Sequence, residues 1–145
     1  MILTFQKLRE CAVIPERATA FSAGLDLCAA LDAPVTLKPQ EITKIPTGLA
    51  VSPSDNNVAL MIYARSGLSS KYGVTLANGV GVVDADYRGE ICVALINLGK
   101  DAFTIENGMR IAQLVVMPIL YPSCSISEQL DETVRGNGGF GSTGK

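Results

Sequence analysis

The 145-residue chain contains no histidine. That absence removes serine–histidine and cysteine–histidine nucleophile pairs, histidine general bases and histidine metal sites together. The four cysteines, Cys11, Cys28, Cys92 and Cys124, are scattered without a C-x-x-C pair. This argues for reduced thiols rather than a zinc site or a disulfide framework. The net charge is only −2, so the chain lacks the electrostatic footprint of a protein that binds nucleic acid or a membrane surface. No apolar run reaches 18 residues, and Met1–Arg9 lacks the apolar stretch of a signal peptide. The expectation is a cytoplasmic or other intracellular protein with no signal or transmembrane segment. No internal repeat stands out. An enzyme built from this chain is left with carboxylates, a phosphate-bound metal, or both.

What is present fits one globular domain: 48% apolar residues and 18% charged, with enough length for a real core. Short runs rich in Val, Ile, Leu and Thr alternate with Pro, Gly, Asn and Asp punctuation. They predict strands over 2–7, 35–37, 42–46, 49–51, 58–63, 74–76, 80–83, 91–97, 103–105 and 109–117. Turns are signalled at Pro53–Asn57, Leu98–Asp101 and Glu106–Gly108, and only Gly67–Lys71 looks helical. The fold class expected is all-β, a jelly roll or related barrel or sandwich, with one short helix. Residues 1–124 form the expected catalytic core. Residues 125–145 form an expected flexible arm, polar at first and then glycine-rich.

That arm ends in Arg135-Gly-Asn-Gly-Gly-Phe-Gly-Ser-Thr-Gly-Lys145, with five glycines. Each glycine loses much conformational entropy on ordering, so neither a stable helix nor a packed strand is expected. Glycine also lets backbone N–H groups approach phosphate oxygens, while Arg135 supplies charge and Phe140 a stacking ring. Those parts suit a triphosphate carrying a flat base. A frayed terminus has the same composition. Gly139–Lys145 also reads G-x-x-x-x-G-K, most of a P-loop. The final Ser/Thr is missing and no helix follows, so the P-loop reading is rejected.

Three further clusters carry chemistry. In Asn78–Gly89, Asn78 both donates and accepts, as reading a pyrimidine edge requires. Asp84 follows Val82 and Val83, which places its carboxylate at a strand end against apolar surface, where it could deprotonate a water. The same residues read equally as an Asp-rich turn with Tyr87 in the core. In Ala64–Gly73, Arg65 and Ser66 precede Gly67 at the start of a helical turn, an anion site or simply an N-cap serine beside a surface arginine. Ala23–Ala29 and Arg110–Gln113 each set polar groups in an apolar strand. Strict alternation leaves Asp26 and Gln113 free to point outward, and puts Arg110 and Gln113 on opposite faces.

Taken in order and spacing, five segments resemble trimeric deoxyuridine triphosphate nucleotidohydrolase (dUTPase): Ala23-Gly-Leu-Asp26-Leu, Ala64-Arg-Ser-Gly-Leu68, Gly81–Gly89, Arg110-Ile-Ala-Gln113 and Arg135–Gly144. The resemblance covers almost the whole chain. It implies a jelly-roll homotrimer with active sites shared between subunits, Mg2+ as cofactor, and hydrolysis of dUTP to dUMP and pyrophosphate. Such an activity keeps uracil out of DNA and supplies dUMP for thymidylate synthesis. No nucleic acid or membrane partner is implied. By the same resemblance Asp84 is the base for the attacking water, with Gln113 in the catalytic set. Asn78 and the backbone around Gly81 and Val83 would read uracil, and Tyr87 would pack under the deoxyribose. Arg65, Ser66, Gly67 and Gln113 would hold the phosphates, and Asp26 would meet the magnesium's water shell. Arg135, Gly141, Ser142 and Thr143 would grip the γ-phosphate, and Phe140 would cover the base. Met109 departs from the family, which often carries an acid there, and this puts the role of Arg110 in question. Two rivals stand beside this reading. A dCTP deaminase would carry a glutamate ten residues after Asp84, where this chain has Ala94. A non-enzymatic jelly-roll module would not need Asp84, Gln113 and the tail together.

Overall fold

The computed structural model of the chain describes residues 1–139. Eleven strands and one helix follow in order: β1 (Leu3–Lys7), β2 (Leu25–Cys28), β3 (Val35–Leu37), β4 (Ile42–Pro46), β5 (Leu49–Pro53), β6 (Val58–Ala64), α1 (Ser66–Tyr72), β7 (Val74–Leu76), β8 (Gly81–Val83), β9 (Cys92–Asn97), β10 (Phe103–Ile105) and β11 (Arg110–Pro118). The ten strands expected from the sequence are all found, with ends shifted by no more than two residues. β2 lies outside those ten runs, within Ala23–Ala29, the segment read above as an apolar strand that carries Asp26.

All pairings are antiparallel, and hardly any join sequence neighbours. β2 pairs with β11, β3 with β10 and β4 with β9. The pairs are nested, early strand with late strand, so the chain is a long ribbon folded back and wound on itself. β6 and β8 extend the β2–β11 sheet, β7 extends the β4–β9 sheet, and β1 pairs with β5. This winding is the jelly roll expected. Most of its pairings are non-local, so they pay loop-closure entropy before they gain contacts.

One apolar core unites the sheets. Leu27, Leu37, Ile45, Leu60, Ile105, Ile111 and Leu114 are fully buried and belong to one cluster drawn from β2, β3, β4, β6, β10 and β11. Period-two alternation does the sorting, clearest in β9, where Val93, Leu95 and Asn97 point inward. Asn97 is a buried polar residue whose amide is satisfied. Its Nδ2 donates to the carbonyls of Leu37 (3.0 Å) and Asp101 (2.8 Å), and its Oδ1 accepts from the Gly99 N–H at 2.9 Å. A buried amide left unpaired would cost about 1–3 kcal/mol.

After β11 the described chain has no further strand, and Leu120, Ile126, Leu130 and Val134 are largely or fully exposed. Among the described residues no helix is long and apolar enough to cross a membrane. Phe140, Gly141, Ser142 and Thr143 lie outside the described residues.

Candidate active site

The strand pairings bring three of the sequence clusters together. β11 runs between β2 and β6, with Gln113 opposite Asp26 on one side and Tyr63 on the other. β6 leads directly into α1, so Arg65 and Ser66 emerge at the same sheet end. Asp26, Arg65, Ser66 and Gln113 line one cleft of about 310 Å³, closed by Ala18 and Ser22–Gly24. The far wall is a loop held by Arg17, which donates to the carbonyls of Ser22 and Ala23, and by the Asp26 N–H to the Glu16 carbonyl (3.0 Å).

Two guanidinium groups share one carboxylate here. Arg65 pairs with Asp26 Oδ1, and Arg110 Nη1 donates to Asp26 Oδ2 at 3.2 Å. Strict alternation predicted that Arg110 and Gln113 diverge, and the structure corrects this. The register of β11 against β2 shifts between Arg110 and Ala112. Such a bulge absorbs one residue and reverses the parity that follows, so Arg110 and Gln113 both reach Asp26's surroundings. Two cations against one anion leave the cleft with surplus positive charge. Burial, with Arg110 close by as a second cation, lowers the Arg65 pKa from its ordinary value. A guanidinium starts high enough to stay charged at neutral pH.

Gln113 is held in place. Its Nε2 donates to the Ala64 carbonyl at 3.0 Å, and its side chain lies across Gly24. A Cβ on Gly24 would stand 2.5 Å from Gln113 Oε1 and 3.0 Å from its Cβ. Arg65, not Ser66, is the residue that caps α1, and it does so without a side-chain hydrogen bond. Ser66 and Gly67 therefore form the first turn, whose amides have no intrahelical partner. The chemistry of the cleft suits a polyanion: surplus charge, a hydroxyl, free amides and a carboxamide.

The other sequence-predicted residues gather elsewhere. Val83, Asp84 and Tyr87 line a second cleft of about 290 Å³, with Lys44, Val82, Glu90, Ile91 and Cys92. The two clefts share no lining residue. Asp84 is exposed at the end of β8, and among the described residues its carboxylate accepts no hydrogen bond. Gly81 has Ile62 Cβ 3.0 Å and Asn78 Nδ2 3.7 Å from where its own Cβ would be. Glycine there lets the Ile62 side chain of the paired strand β6 pack close against β8. Tyr87 is half exposed, and its O–H donates to the Glu90 carbonyl at 3.1 Å. Burial, then the Glu90 charge, raises the Cys92 pKa above its ordinary value. Arg135 enters neither cleft, and its Nε donates to the Gly138 carbonyl at 3.0 Å. The sequence reading singled out neither Gly24 nor Glu90 as individual residues. Gly24 lies inside the Ala23–Leu27 segment, whereas Glu90 falls just past Gly89 and carried no signal of its own.

A family model described as dUTPase matches residues 10–144. The deoxyuridine 5'-triphosphate nucleotidohydrolase of Desulfitobacterium hafniense (strain Y51) is 54% identical over 131 residues, 90% of this chain and 87% of that protein. Its counterpart in Rickettsia bellii (strain OSU 85-389) is 56% identical over the same shares of the two chains. Among solved structures, a Staphylococcus bacteriophage 80alpha dUTPase with dUPNHPP superposes with a TM-score of 0.90 at 31% identity, covering 99% of both chains. A mutant dUTPase from phage phi11 of S. aureus, solved with a structural Mg(II) ion, gives 0.80 at 27% identity over 89% of this chain and 98% of that one.

Proposed function

Since the chain belongs to the dUTPase family, we propose that its two clefts are the halves of one composite site that hydrolyses dUTP to dUMP and pyrophosphate. The observation that carries this reading is the division of labour between them. One cleft is cationic and polar, suited to a triphosphate. The other sets a carboxylate and a tyrosine ring beside apolar Val82 and Val83, suited to a nucleoside and an attacking water. Because one chain keeps the halves apart, we place the site between subunits. The symmetric arrangement is the family's homotrimer. The arm of residues 125–145 completes each site, with Arg135, Ser142 and Thr143 on the γ-phosphate and Phe140 over the base.

In this site Asp84 accepts a proton from water. The water oxygen attacks the α-phosphorus, the bond from that phosphorus to the bridging oxygen breaks, and pyrophosphate leaves. The carboxylate is suited to the role because it is exposed at the end of β8, and among the described residues no donor occupies it. Asn78 pairs with the uracil edge alongside the Gly81 and Val83 backbone, and Tyr87 packs under the sugar so that a 2′-hydroxyl does not fit. Arg65, Ser66, the Gly67 amide and Gln113 hold the phosphate oxygens in line with the water.

The residues fit Mg2+ in one particular way. Among the described residues no group of three His, Cys, Asp or Glu side chains could cage an ion. A hard cation that keeps most of its waters and is held by phosphate oxygens needs no such cage, and Asp26 is the carboxylate that would meet its water shell. When bound it neutralises charge on the phosphates. The test is product analysis after incubation with dUTP, dCTP and UTP, with and without Mg2+. The reading expects dUMP and pyrophosphate from dUTP, with the other two rejected by ~10⁴-fold. Deamination of dCTP, or equal turnover of UTP, would contradict it.

A further inference from the structure

The turn that carries Asp84 and Tyr87 ends on Glu90, a residue with a job at both of its ends. Its backbone carbonyl accepts the Tyr87 hydroxyl at 3.1 Å. Its carboxylate accepts the Arg9 Nε–H at 3.2 Å and the Gly48 N–H at 2.9 Å, both on Oε1. The carboxylate is about three-quarters buried. Gly48 is fixed in turn, since its carbonyl accepts the Leu8 N–H at 2.7 Å. The hydroxyl end of the tyrosine ring lies against Gly89, where a Cβ would stand 2.3 Å from the hydroxyl oxygen and 2.5 Å from Cζ. The Tyr87 N–H closes the other end of the turn on the Asp84 carbonyl at 3.1 Å.

Ile91, the next residue, has anchors of its own. Ile91 is 2% exposed. Its N–H donates to Leu49, and its carbonyl accepts from both the N–H and the hydroxyl of Thr47. What the carboxylate adds is a tether on the one residue whose carbonyl receives the Tyr87 hydroxyl. We propose that Glu90, anchored by Arg9 and the Gly48 amide, is a positioning residue for Tyr87 and so sets how strictly the enzyme prefers deoxyribose to ribose. This rests on the reading of Tyr87 as the ring beneath the sugar. Glu90 itself touches no reacting atom. Freed of its tether, its carbonyl shifts, the ring tilts with it, and room opens for a 2′-hydroxyl.

The experiment compares kcat/KM for dUTP and UTP in the full-length protein and four variants: Glu90→Ala, Glu90→Gln, Tyr87→Ala and the Tyr87→Ala/Glu90→Ala pair, each checked by thermal melting. Glu90→Ala should cut the preference for dUTP at least ~10-fold, the scale of one lost charge-assisted hydrogen bond, measured at a temperature where the melting curve shows the variant fully folded. Glu90→Gln should keep most of the preference, since an amide oxygen still accepts from Gly48. In the Tyr87→Ala background Glu90→Ala should do nothing further, because residues acting through one another are not additive. If Tyr87→Ala collapses the preference and Glu90→Ala leaves it intact, the positioning role is refuted while the reading of Tyr87 survives. If Tyr87→Ala itself leaves the preference intact, that reading fails and takes this proposal with it. Should Glu90→Ala fail to fold, Glu90→Asp, whose shorter side chain draws the carboxylate away from both Arg9 and the Gly48 N–H, is read by the same criteria.

Discussion

Gly24→Ala places one methyl group where the structure has no room for it. The new Cβ would stand 2.5 Å from Gln113 Oε1, 3.3 Å from its Cδ and 3.0 Å from its Cβ. The first contact is relieved when the flexible amide swings away, but that breaks the bond from Nε2 to the Ala64 carbonyl, worth about 0.5–1.5 kcal/mol. The last contact is not relieved by any rotamer. Gln113 Cβ is fixed to β11, which is paired on both sides, so the backbone at the start of β2 must move. Overpacking of this kind costs roughly 1–3 kcal/mol, and a domain of this size should lose on the order of 3–10 °C in Tm. The functional loss should be out of proportion to that. Gln113 leaves the phosphate cleft and Asp26 moves with the β2 backbone, so kcat/KM for dUTP should fall ~10-fold or more at temperatures where the variant is fully folded. The assay is steady-state turnover of dUTP beside a melting curve. A Gly24→Ala protein with normal turnover would show that the Gln113 carboxamide is not held for catalysis.

The other expectations follow from the same geometry. Asp84→Asn keeps the shape of the side chain and removes the base, so kcat should drop by about 10²–10⁴-fold while dUTP still binds, checked by kinetics and calorimetric titration. Asp84→Asn and Gln113→Ala chains, each nearly inactive alone, should regain about a quarter of normal activity when unfolded together and reassembled one to one, since randomly mixed subunits restore that share of sites built from two chains. No recovery would put both clefts of a site on one chain. Removing residues 135–145 should leave a folded protein that is a poor catalyst, seen as an unchanged melting curve with lowered kcat/KM. Burial pushes the thiols of Cys28 and Cys92 above their ordinary value of 9.0, so the fold favours their protonated form. That stability is fully present below pH 9.0 and is lost as pH rises through the folded values. The alkaline fall in Tm should be shallower in a Cys28→Ala/Cys92→Ala protein.

Much of the fold is written in local pattern. The runs at 35–37, 42–46, 74–76 and 103–105 have the strand limits read from the sequence; three of them alternate cleanly, while Ile42-Thr-Lys-Ile-Pro46 does not and leaves Ile42 exposed and Ile45 buried. β2 was legible only as a segment in which Asp26 alternates with Leu25 and Leu27, and its partner strand, more than eighty residues away, was not. The bulge at Arg110–Ala112 is equally invisible to alternation, which assumes an unbroken pleat. It reverses which face Arg110 presents, and with it the partner that arginine finds in the absence of an acid at Met109. The phosphate cleft was legible as segments but not as a cluster. Asp26 and Arg65 are 39 positions apart, and only the β2–β11–β6 order makes them neighbours. Glu90 gave no signal, because a single acid after Tyr87-Arg-Gly reads as surface charge until its partners Arg9 and Gly48 are seen.

The central claim is that water, activated at Asp84, attacks the α-phosphorus of dUTP. Turnover in ¹⁸O-labelled water with Mg2+, followed by mass analysis of both products, tests it directly. The account predicts one labelled oxygen in dUMP and none in pyrophosphate. Label in pyrophosphate would move the attack to another phosphorus and contradict the assignment of both clefts.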